Sequence, residues 1–572
     1  MIDSQATPVE STASAYRFVA LACLVAFLGI RLAGVINQPL LEDHDSSGYL
    51  HRISVFAGSQ SDDLDAMTAD LLPLFPLASA ALTRLGLPAE ASARLISLTA
   101  SVLTAVLIVM VAVRFGSWPA GAFAAMLIAF EPTMARLSYA VLTEPLYTAL
   151  VTLGLWLMVR GSRSAPTLPG AIALGLVFGL SFLDRLEGIL FLVAIPCLQW
   201  CLTLAAHRDS YLAQLRPLLA WTAVFGAVFV VLAAPQVWYV SKEMNQFALN
   251  GRQAWSVILN VRNGQSEEQR LQGLDYSPTT TNLRHLQSTP ADLAKLDATV
   301  SLKARVERVT TNLDILQRQS LPQLLGLTVL VFVPLGLLFL LRAGHAPAAF
   351  VLAGFGVLAF VAPVMHDTIP RHILVSAPPL ILLAAFGALG AGRELARHSE
   401  ACRWRGWITP ALLLGLTLVT VAFNAWPLWR MTTGPDNSNP VADRYSDPAL
   451  YARFLPMLET ACAATPGEVL LVRKRYIATL SSCTRLMMPY ATLGQLQRYA
   501  EANGATLMFV ESQWDSERPF YHALVEAPVA PDGFELLASD KLPDGRRRFL
   551  YRLHPQSFGS QPGTAEGDPD AR

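Results

Sequence analysis

Charge is scarce in this sequence. Only 15% of the 572 residues are Asp, Glu, Lys or Arg, whereas 53% are hydrophobic, and an average soluble domain carries about 25% charged residues. The 43 basic and 43 acidic side chains cancel to a formal net charge of zero. The scarcity indicates a membrane protein, and the balance of signs argues against nucleic acid as a partner.

Cysteine is also rare, with six residues and no C-x-x-C, which excludes a disulfide scaffold. Cys197 and Cys201 lie in an apolar run, where we interpret them as small hydrophobic residues. Cys462 and Cys483 belong to a polar C-terminal region. They form a disulfide if this region faces an oxidising compartment, and otherwise they are two free thiols. The sequence lacks a P-loop and a strand-turn-helix G-x-G-x-x-G, so nothing indicates a nucleotide site.

The N-terminus lacks the pattern of a cleaved signal peptide. Residues 1–15 are polar, contain no Lys or Arg, and are predicted to be a disordered cytoplasmic segment. No small-residue cleavage site follows the next apolar run. We therefore expect that run to stay in the protein as a membrane anchor.

Long apolar segments dominate the first three quarters of the chain. About 20 such residues in a helix cross about 30 Å of hydrocarbon. Eleven segments approach this length: 16–36, 92–113, 117–131, 144–159, 168–184, 187–205, 218–240, 322–341, 348–366, 372–391 and 407–429. The sequence predicts an α-helical polytopic membrane protein with about 11 transmembrane helices.

The short connections carry an uneven distribution of arginine, which predicts the orientation. With a cytoplasmic N-terminus, the outer short loops contain three arginines, at 136, 185 and 371. The inner loops contain ten, at 114, 160, 163, 208, 216, 342, 393, 397, 403 and 405. We expect a multi-pass protein of the cell (inner) membrane with its C-terminal domain on the extracytoplasmic side.

Polar regions divide the chain into its predicted domains. They are a transmembrane domain (16–430) with outer loops 37–91 and 241–321, an extracytoplasmic α/β domain (431–555) and a disordered tail (556–572). The segments 73–86 and 302–319 are predicted to be helices at the membrane interface. In the α/β domain, 467–474 and 505–512 are predicted strands, 493–503 a helix, and the PDG at 543–545 a hairpin turn.

Ionisable residues at the membrane segments collect at one side. In the predicted orientation the outer ends carry acids and bases together: Arg31, Glu42, Asp43, Asp45, Glu131, Arg136, Glu144, Asp184, Arg185, Glu187, Asp367, Arg371 and His372. Charged residues in membrane segments often mark functional sites. A transport pathway would place charge through the depth of the bilayer, so this one-sided distribution favours a reaction site at the membrane surface.

Carboxylates beside guanidinium groups suit glycosyl transfer from a lipid-linked sugar. A carboxylate can remove a proton from an acceptor, and arginine can bind a departing phosphate through two parallel hydrogen bonds. The developing charge on that phosphate is stabilised by cations that are already in place. The predicted partners are therefore a lipid-linked sugar donor and the membrane lipid in which it lies.

Six motifs resemble the polytopic C-type (GT-C) glycosyltransferases, which include dolichyl-phosphate-mannose protein mannosyltransferase-like and lipid A aminoarabinose transferase-like proteins. Asp45-Ser-Ser-Gly-Tyr49 resembles the D-x-x-x-Y of the first outer loop of that family. The other five follow in order along the chain: 73–86 (like P-L-Y-P-L-L), 93–116 (its second span), 131–147 (like S-R-x-x-x-x-E-P-L), 183–191 (like T-R-P-E-G-L-L) and 371–385 (like R-Y-L-L-P-A-L-P-P-L-A-L-L). Leu186 replaces the proline of the fifth motif, and His372 replaces the aromatic residue of the sixth.

The resemblance implies roles for individual residues. Asp45 corresponds to the catalytic base, with Asp43 as the alternative, and Glu144 to a second carboxylate that orients the acceptor or a metal. The residues implied in substrate binding are Tyr49, Arg136, Arg185, Glu187, Arg371 and His372, with Arg371 on the donor phosphate. The sugar and the acceptor, whether protein, lipid or polysaccharide, stay open.

Three alternatives stand beside these assignments. The Glu42-Asp43-His44-Asp45 cluster has the oxygen ligands that Mg²⁺ or Mn²⁺ prefers, although no cofactor is required by the sequence. A transporter or flippase of lipid-linked substrates would also have many spans, but the sequence shows neither internal repeats nor helices broken near the midplane of the membrane. A membrane receptor without catalytic activity, binding through its C-terminal domain, is the third.

Overall fold

The structure is a computed structural model. It describes residues 8–37, 44–58, 72–115, 118–161, 166–207, 210–243, 247–249, 302–365, 368–399, 405–433, 453–465, 467–473, 477, 481, 483–488, 491–512, 520–526, 529–541, 545 and 547–554. The α-helices in the membrane domain are α1 (Pro8–Asn37), α2 (His44–Ala57), α3 (Leu74–Arg84), α4 (Ala89–Arg114), α5 (Trp118–Ala129), α6 (Pro132–Leu137), α7 (Glu144–Gly161), α8 (Leu168–Asp184), α9 (Leu190–Ala206), α10 (Tyr211–Glu243), α11 (Leu302–Ile315), α12 (Leu321–Leu325), α13 (Leu327–Arg342), α14 (Ala346–Met365), α15 (Ala377–His398) and α16 (Arg405–Thr433).

Seven helices in the described part of the chain are long and apolar enough to cross a membrane, and a bent pair makes up to eight. The predicted spans 117–131 and 168–184 are the shorter apolar helices α5 and α8. The predicted span 144–159 is the 18-residue helix α7. A helical polytopic membrane fold is confirmed, whereas the count of 11 spans stays a prediction.

Two helices differ from their sequence predictions. The helix α1 begins at Pro8, so part of the segment predicted to be disordered at 1–15 is helical. The predicted continuous span 322–341 is broken at Gly326, whose φ of 73° lies in the left-handed region that glycine adopts easily. The helix pair on either side of this break is bent by 91°, so the predicted span is not one continuous helix.

The helix α15 forms the centre of the bundle. It packs against α5, α13, α14 and α16, and 94% of its apolar window is buried. A helix that is hydrophobic on all sides belongs in the interior of a membrane protein. The outer helix α16 is only 6% buried over its window, which leaves its apolar surface for lipid.

Exposed tryptophans at both ends of α16 match the dimensions of a bilayer. Trp407 and Trp426 are 68% and 61% exposed. At 1.5 Å per residue, their separation of 19 positions is about 28 Å along the helix, close to the thickness of the hydrocarbon layer. Tryptophan is enriched at both interfaces of membrane proteins.

The helices α13 and α15 run in parallel and in close contact. A Cβ atom on Gly336 would overlap the carbonyl of Leu383, and one on Gly387 would overlap the carbonyl of Phe332. Phe339 lies beside Gly390 one turn further along both helices. Small residues permit this approach of two backbones, and the parallel direction places Gly326 and Ala377 at the same end of the bundle.

The bent segment lies at that end. Asn312 of α11 donates to the carbonyl of Val364 at the end of α14 (2.8 Å), and Thr368 donates to the carbonyl of Asn312 (3.2 Å). The amphipathic helix predicted at 302–319 is confirmed as α11 followed by a π-helical turn at Leu316–Ser320. Its position at a membrane interface stays a prediction.

The C-terminal domain contains a five-stranded sheet with the order β2-β1-β3-β5-β4. Its elements are α17 (Leu455–Ala464), β1 (Val469–Val472), β2 (Thr484–Met487), α18 (Leu493–Ala502), β3 (Ala505–Glu511), β4 (Phe534–Lys541) and β5 (Arg547–Leu553). The strand β1 pairs in parallel with β2 and β3, and β5 pairs antiparallel with β3 and β4. The predicted α/β domain, with both strands, its helix and its hairpin, is confirmed, whereas α17 and β2 were missed.

Two contacts tie the C-terminal domain together and to the membrane domain. Cys462 and Cys483 form a disulfide, with 5.3 Å between their Cα atoms. Leu50 of α2 packs into the hydrophobic cluster that contains Phe454 and Leu458. The α/β domain therefore contacts the helix on which Asp45 and Tyr49 lie. The predicted disordered tail at 556–572 lies outside the described residues.

Candidate functional site

Arg185 joins two carboxylates where α7, α8 and α9 meet. Its Nη1 lies 2.8 Å from Oε1 of Glu144, the first residue of α7, and its Nη2 lies 2.9 Å from Oε1 of Glu187. The side chains of Arg185 and Glu144 are 16% and 6% exposed. Of the predicted site residues, these three form one ion-paired cluster, named the Arg185 cluster below.

The local sequence explains how Arg185 and Glu187 reach the same place. Arg185 is extended (φ −144°, ψ 141°) between the end of α8 and a 3₁₀ turn at Leu186–Ile189. A proline at 186, as in the related motif, would favour this extended conformation of the preceding residue, and Arg185 adopts it with Leu186 in that place. A Cβ on Gly188 would lie 2.6 Å from the Cα of Phe182, and this close approach accounts for the glycine.

A layer of hydroxyl groups connects the Arg185 cluster to α2. Nη1 of Arg185 donates to Oγ1 of Thr143 (3.3 Å), and the Tyr49 hydroxyl lies 3.4 Å from the same oxygen. The guanidinium also lies 5.9 Å from the ring centre of Tyr147. Tyr49 is held by an edge-to-face contact with Phe75 of α3, 5.5 Å between ring centres. Tyr49 therefore packs and hydrogen-bonds at the cluster, and its role in substrate binding stays a prediction.

Position 45, the proposed base, lies on α2, the helix that also carries Tyr49. Residue 45 is the second residue of α2 and lies one turn before Tyr49, so the two positions share a face of the helix. The side chain of Asp45 and the whole of Asp43 lie outside the described residues. The helix thus brings position 45 to the side of the Arg185 cluster, and the choice between the two acids stays a prediction.

Arg371 and His372 approach from the other half of the bundle. They lie in a turn before the 3₁₀ segment Leu374–Ser376, which packs against α7. His372 lies within electrostatic range of the carboxylate of Glu187. Residues that are about 185 positions apart in the sequence are therefore brought to one end of the bundle.

Two carboxylates near Arg185 have oxygens with no hydrogen-bond partner among the described residues. The second oxygen of Glu144, Oε2, is buried without a hydrogen-bond partner in this part of the chain. Asp184 is 3% exposed, and both of its carboxylate oxygens are buried without a hydrogen-bond partner in the same part of the chain. Carboxylate oxygens of Glu144 and Asp184 without a described partner therefore lie near Arg185, where they can bind a cationic or proton-donating group.

Other predicted outer-end residues have structural roles. Arg31 is fully buried and donates to the carbonyls of Ala129 (2.6 Å) and Ile128 (2.8 Å) at the end of α5. Glu131 caps the N-terminus of α6 by accepting from the amides of Thr133 (3.0 Å) and Met134. The two helix ends explain why both charges are present.

Arg136 does not lie on the helices that carry the Arg185 cluster. It is in the last turn of α6, and α6 packs against α1, α12 and α16. Its predicted role in substrate binding stays a prediction. Thr143 and Tyr147, by contrast, were not singled out from the sequence, although they flank Glu144 and both contact Arg185.

No group of three potential metal ligands occurs among the residues that the structure describes. The acidic stretch 42–45 was the predicted site for Mg²⁺ or Mn²⁺, and its side chains lie outside that part of the chain. A divalent cation at this stretch stays a prediction, and no step below depends on one.

Comparison with known proteins gives matches in structure. The sequence matches no family model and none of the curated proteins. The fold is similar to that of ArnT from Cupriavidus metallidurans bound to undecaprenyl phosphate, with a TM-score of 0.53 and 16% identity over 95% of this chain and 99% of that one. It is also similar to the oligosaccharyltransferase AglB from Archaeoglobus fulgidus in complex with an inhibitory peptide and a dolichol-phosphate, with a TM-score of 0.54 and 12% identity over 93% of this chain and 74% of that one.

A second structure of the Archaeoglobus fulgidus enzyme, in complex with Zn and sulfate, has a TM-score of 0.56 and 10% identity, over 93% of this chain and 72% of that one. ArnT and AglB are both GT-C glycosyltransferases. At these identities the likeness concerns the fold, and it extends through the membrane helices and the C-terminal domain. The chain therefore has the fold of the GT-C membrane glycosyltransferases.

Proposed function

We propose that the protein is a membrane glycosyltransferase that moves a sugar from a polyprenyl-phosphate donor to an acceptor on the extracytoplasmic face. The observation that supports this proposal most directly is the Arg185 cluster, a buried guanidinium between two carboxylates beside α2, in a GT-C fold. The ArnT and AglB structures contain undecaprenyl phosphate and a dolichol-phosphate. These lipids support the same class of donor here.

In the proposed reaction, the acceptor attacks the anomeric carbon of the sugar. Asp45, or Asp43 in its place, takes the proton from the acceptor, while the bond between that carbon and the phosphate oxygen breaks. The electron pair of the broken bond stays on the phosphate. The products are the glycosylated acceptor and the polyprenyl monophosphate.

Arginine provides the positive charge that the leaving phosphate needs. Arg371 is the proposed phosphate ligand because it lies in the turn just before the segment Leu374–Ser376, which packs against α7, and a guanidinium can form two parallel hydrogen bonds to phosphate. Glu144 is the proposed acceptor-orienting residue, since Oε1 is fixed by Arg185 and Oε2 has no described partner.

Two features support the extracytoplasmic side. The Cys462–Cys483 disulfide suits an oxidising compartment, and its domain contacts α2 through Leu50. The arginine distribution independently predicts the same orientation. The inner membrane remains the proposed location.

The break at Gly326 is the one observation that favours a transporter. Discontinuous helices in transporters bind substrate near the middle of the bilayer. Here the break is level with the start of α15, so it lies at the end of the bundle where Arg371 and the Arg185 cluster are found. A helix that turns along the surface explains the bend, and glycosyl transfer is therefore the better supported function.

A complementation experiment tests the proposed function. A strain that lacks the protein receives the wild type, Asp45→Asn, Asp43→Asn or the control Glu459→Gln, which changes an exposed residue of α17. Mass spectrometry of glycans and lipids then reports the transferred sugar. We expect a sugar-bearing product with the wild type and the control, and none with Asp45→Asn.

Each result has a defined meaning. Product loss with Asp43→Asn alone would move the base to Asp43. Full product with both variants would refute the assignment of the base. An identical glycan and lipid profile in the deletion strain and its parent would refute the transferase.

A direct binding experiment tests the phosphate ligand. Purified protein is titrated with undecaprenyl phosphate, and Arg371→Gln is compared with Arg160→Gln, which changes an exposed arginine of α7. Loss of a hydrogen bond to a charged group costs about 1.5–3 kcal/mol, so Arg371→Gln should weaken binding about 10- to 100-fold. Equal affinity of both variants would remove Arg371 from the donor site.

A further inference from the structure

A groove with three arginines lies between the C-terminal ends of α13 and α15. It has a volume of about 270 Å³, and its apolar floor contains Leu335, Leu338 and Phe339. Its polar lining is Arg342, Arg393, Glu394 and Arg397. An apolar floor with a cationic rim has the chemistry of a site for an amphipathic anion.

The charges of the groove leave a positive excess. Arg397 pairs with Glu394 at 3.0 Å, and the Arg393 guanidinium lies 5.7 Å from the centre of the Phe339 ring. Arg342 forms no ion pair with another described residue. One carboxylate against three guanidinium groups leaves two positive charges for a ligand.

The groove is separate from the Arg185 cluster. Arg393 lies 16 residues after Ala377, where α15 begins, which is about 24 Å along the helix. The Arg371 turn lies before that beginning, so the two sites are separated by most of the hydrocarbon thickness. The donor phosphate proposed above therefore cannot occupy both.

The surroundings of the groove identify the ligand. Leu335 and Leu338 are 40% and 44% exposed on the outer surface of α13, where they extend the apolar floor toward the lipid. Basic pockets between membrane helices on the cytoplasmic side bind anionic head groups, and all three arginines belong to the predicted inner set. A free phosphate would make no use of the apolar floor.

We propose that this groove binds one anionic phospholipid, with its phosphate at Arg342, Arg393 and Arg397 and its acyl chains along Leu335 and Leu338. The inference does not depend on the transferase activity. A lipid held there joins α13 to α15 at the end opposite to the candidate active site, and thereby stabilises the parallel pair.

Native mass spectrometry of the full-length protein in detergent tests this proposal. The probe is phosphatidylglycerol, with zwitterionic phosphatidylcholine as the comparison lipid and inorganic phosphate as a competitor. The test variant is Arg342→Gln/Arg393→Gln/Arg397→Gln. The matched control, Arg114→Gln/Arg160→Gln/Arg216→Gln, removes the same charge from exposed arginines of α4, α7 and α10 in the predicted inner set.

We expect the wild type and the control to retain one tightly bound phosphatidylglycerol. Each basic residue near an anionic surface strengthens binding about fivefold, so the test variant, which lacks three, should bind it about 100-fold more weakly. Arg342→Gln alone should weaken binding by a smaller factor, and it serves as the test if the triple variant fails to fold.

Three results would overturn the proposal. Equal losses in the test and control variants would indicate a general effect of charge. Equal retention of phosphatidylcholine would indicate apolar contact alone. Full displacement by inorganic phosphate would identify a site for free phosphate.

Discussion

Replacing Arg185 with methionine tests how much the stability of the protein depends on one buried cation in the candidate site. The substitution keeps an apolar side chain of similar length but removes the ion pairs with Glu144 (2.8 Å) and Glu187 (2.9 Å). Glu144 is then left 6% exposed without its partner. Buried charges without partners are costly, whereas the same carboxylates at a surface would be solvated.

The magnitude follows from the burial of the pair. Removing one partner of a buried ion pair costs about 3–5 kcal/mol, and Arg185→Met should lower the free energy of unfolding by this amount. Arg185→Lys should cost less, about 1.5–3 kcal/mol, because one ammonium keeps the charge but cannot reproduce the two-sided geometry. Arg160→Met, at an exposed position, should change the value by less than about 0.5 kcal/mol.

The assay is a double-mutant cycle in mixed micelles. The free energy of unfolding is measured for Arg185→Met, for Glu144→Gln and for both together. Neutralising Glu144 removes the charge that Arg185→Met leaves unpaired, so the double variant should be more stable than the sum of the single losses predicts, by about 1–3 kcal/mol. Additivity within about 0.5 kcal/mol would refute the ion pair as a stabilising contact.

Three further predictions concern the fold around the site. Gly188→Ala should cost about 1–3 kcal/mol, measured by unfolding, because its Cβ would collide with the backbone of Phe182; an unchanged stability would contradict the turn. Gly387→Ala should separate α13 from α15 and lower the thermal midpoint, whereas Gly226→Ala, with no atom within 4 Å of its Cβ, should not; equal midpoints would contradict the close packing. Cys462→Ser should destabilise the C-terminal domain by about 3 kcal/mol, and a reducing agent should do the same to the wild type only; no effect of either would mean that the bond does not stabilise the domain.

The membrane helices and the α/β domain were predictable because their signals are local. Runs of apolar residues mark α4, α14 and α15, and short apolar segments bounded by polar residues mark β1 and β3. The predicted acids and bases at 144, 185 and 187 also belong together in the structure. Their helix-end positions put them at one membrane surface, which hydropathy alone can establish.

The roles of other charged residues could not be obtained in this way. Glu131 and Arg31 border spans as the site residues do, but one caps α6 and the other bonds to the end of α5. Hydropathy locates a charge at a helix end and contains no information on its hydrogen-bond partner. The bend at Gly326 was missed for a similar reason, since glycine within an apolar run is equally compatible with a continuous membrane helix.

By itself, the sequence determined the membrane class of the protein, the ends of most helices and the presence of a separate α/β domain, because apolar periodicity and turn residues act over a few positions. Only the tertiary structure decided that Arg185 bridges Glu144 and Glu187, that Thr143 connects this bridge to Tyr49, and that α13 and α15 enclose an arginine groove at the opposite end. The contacts around Arg185 and Tyr49 join residues between 2 and 94 positions apart, and they form when helix packing brings the chain segments together.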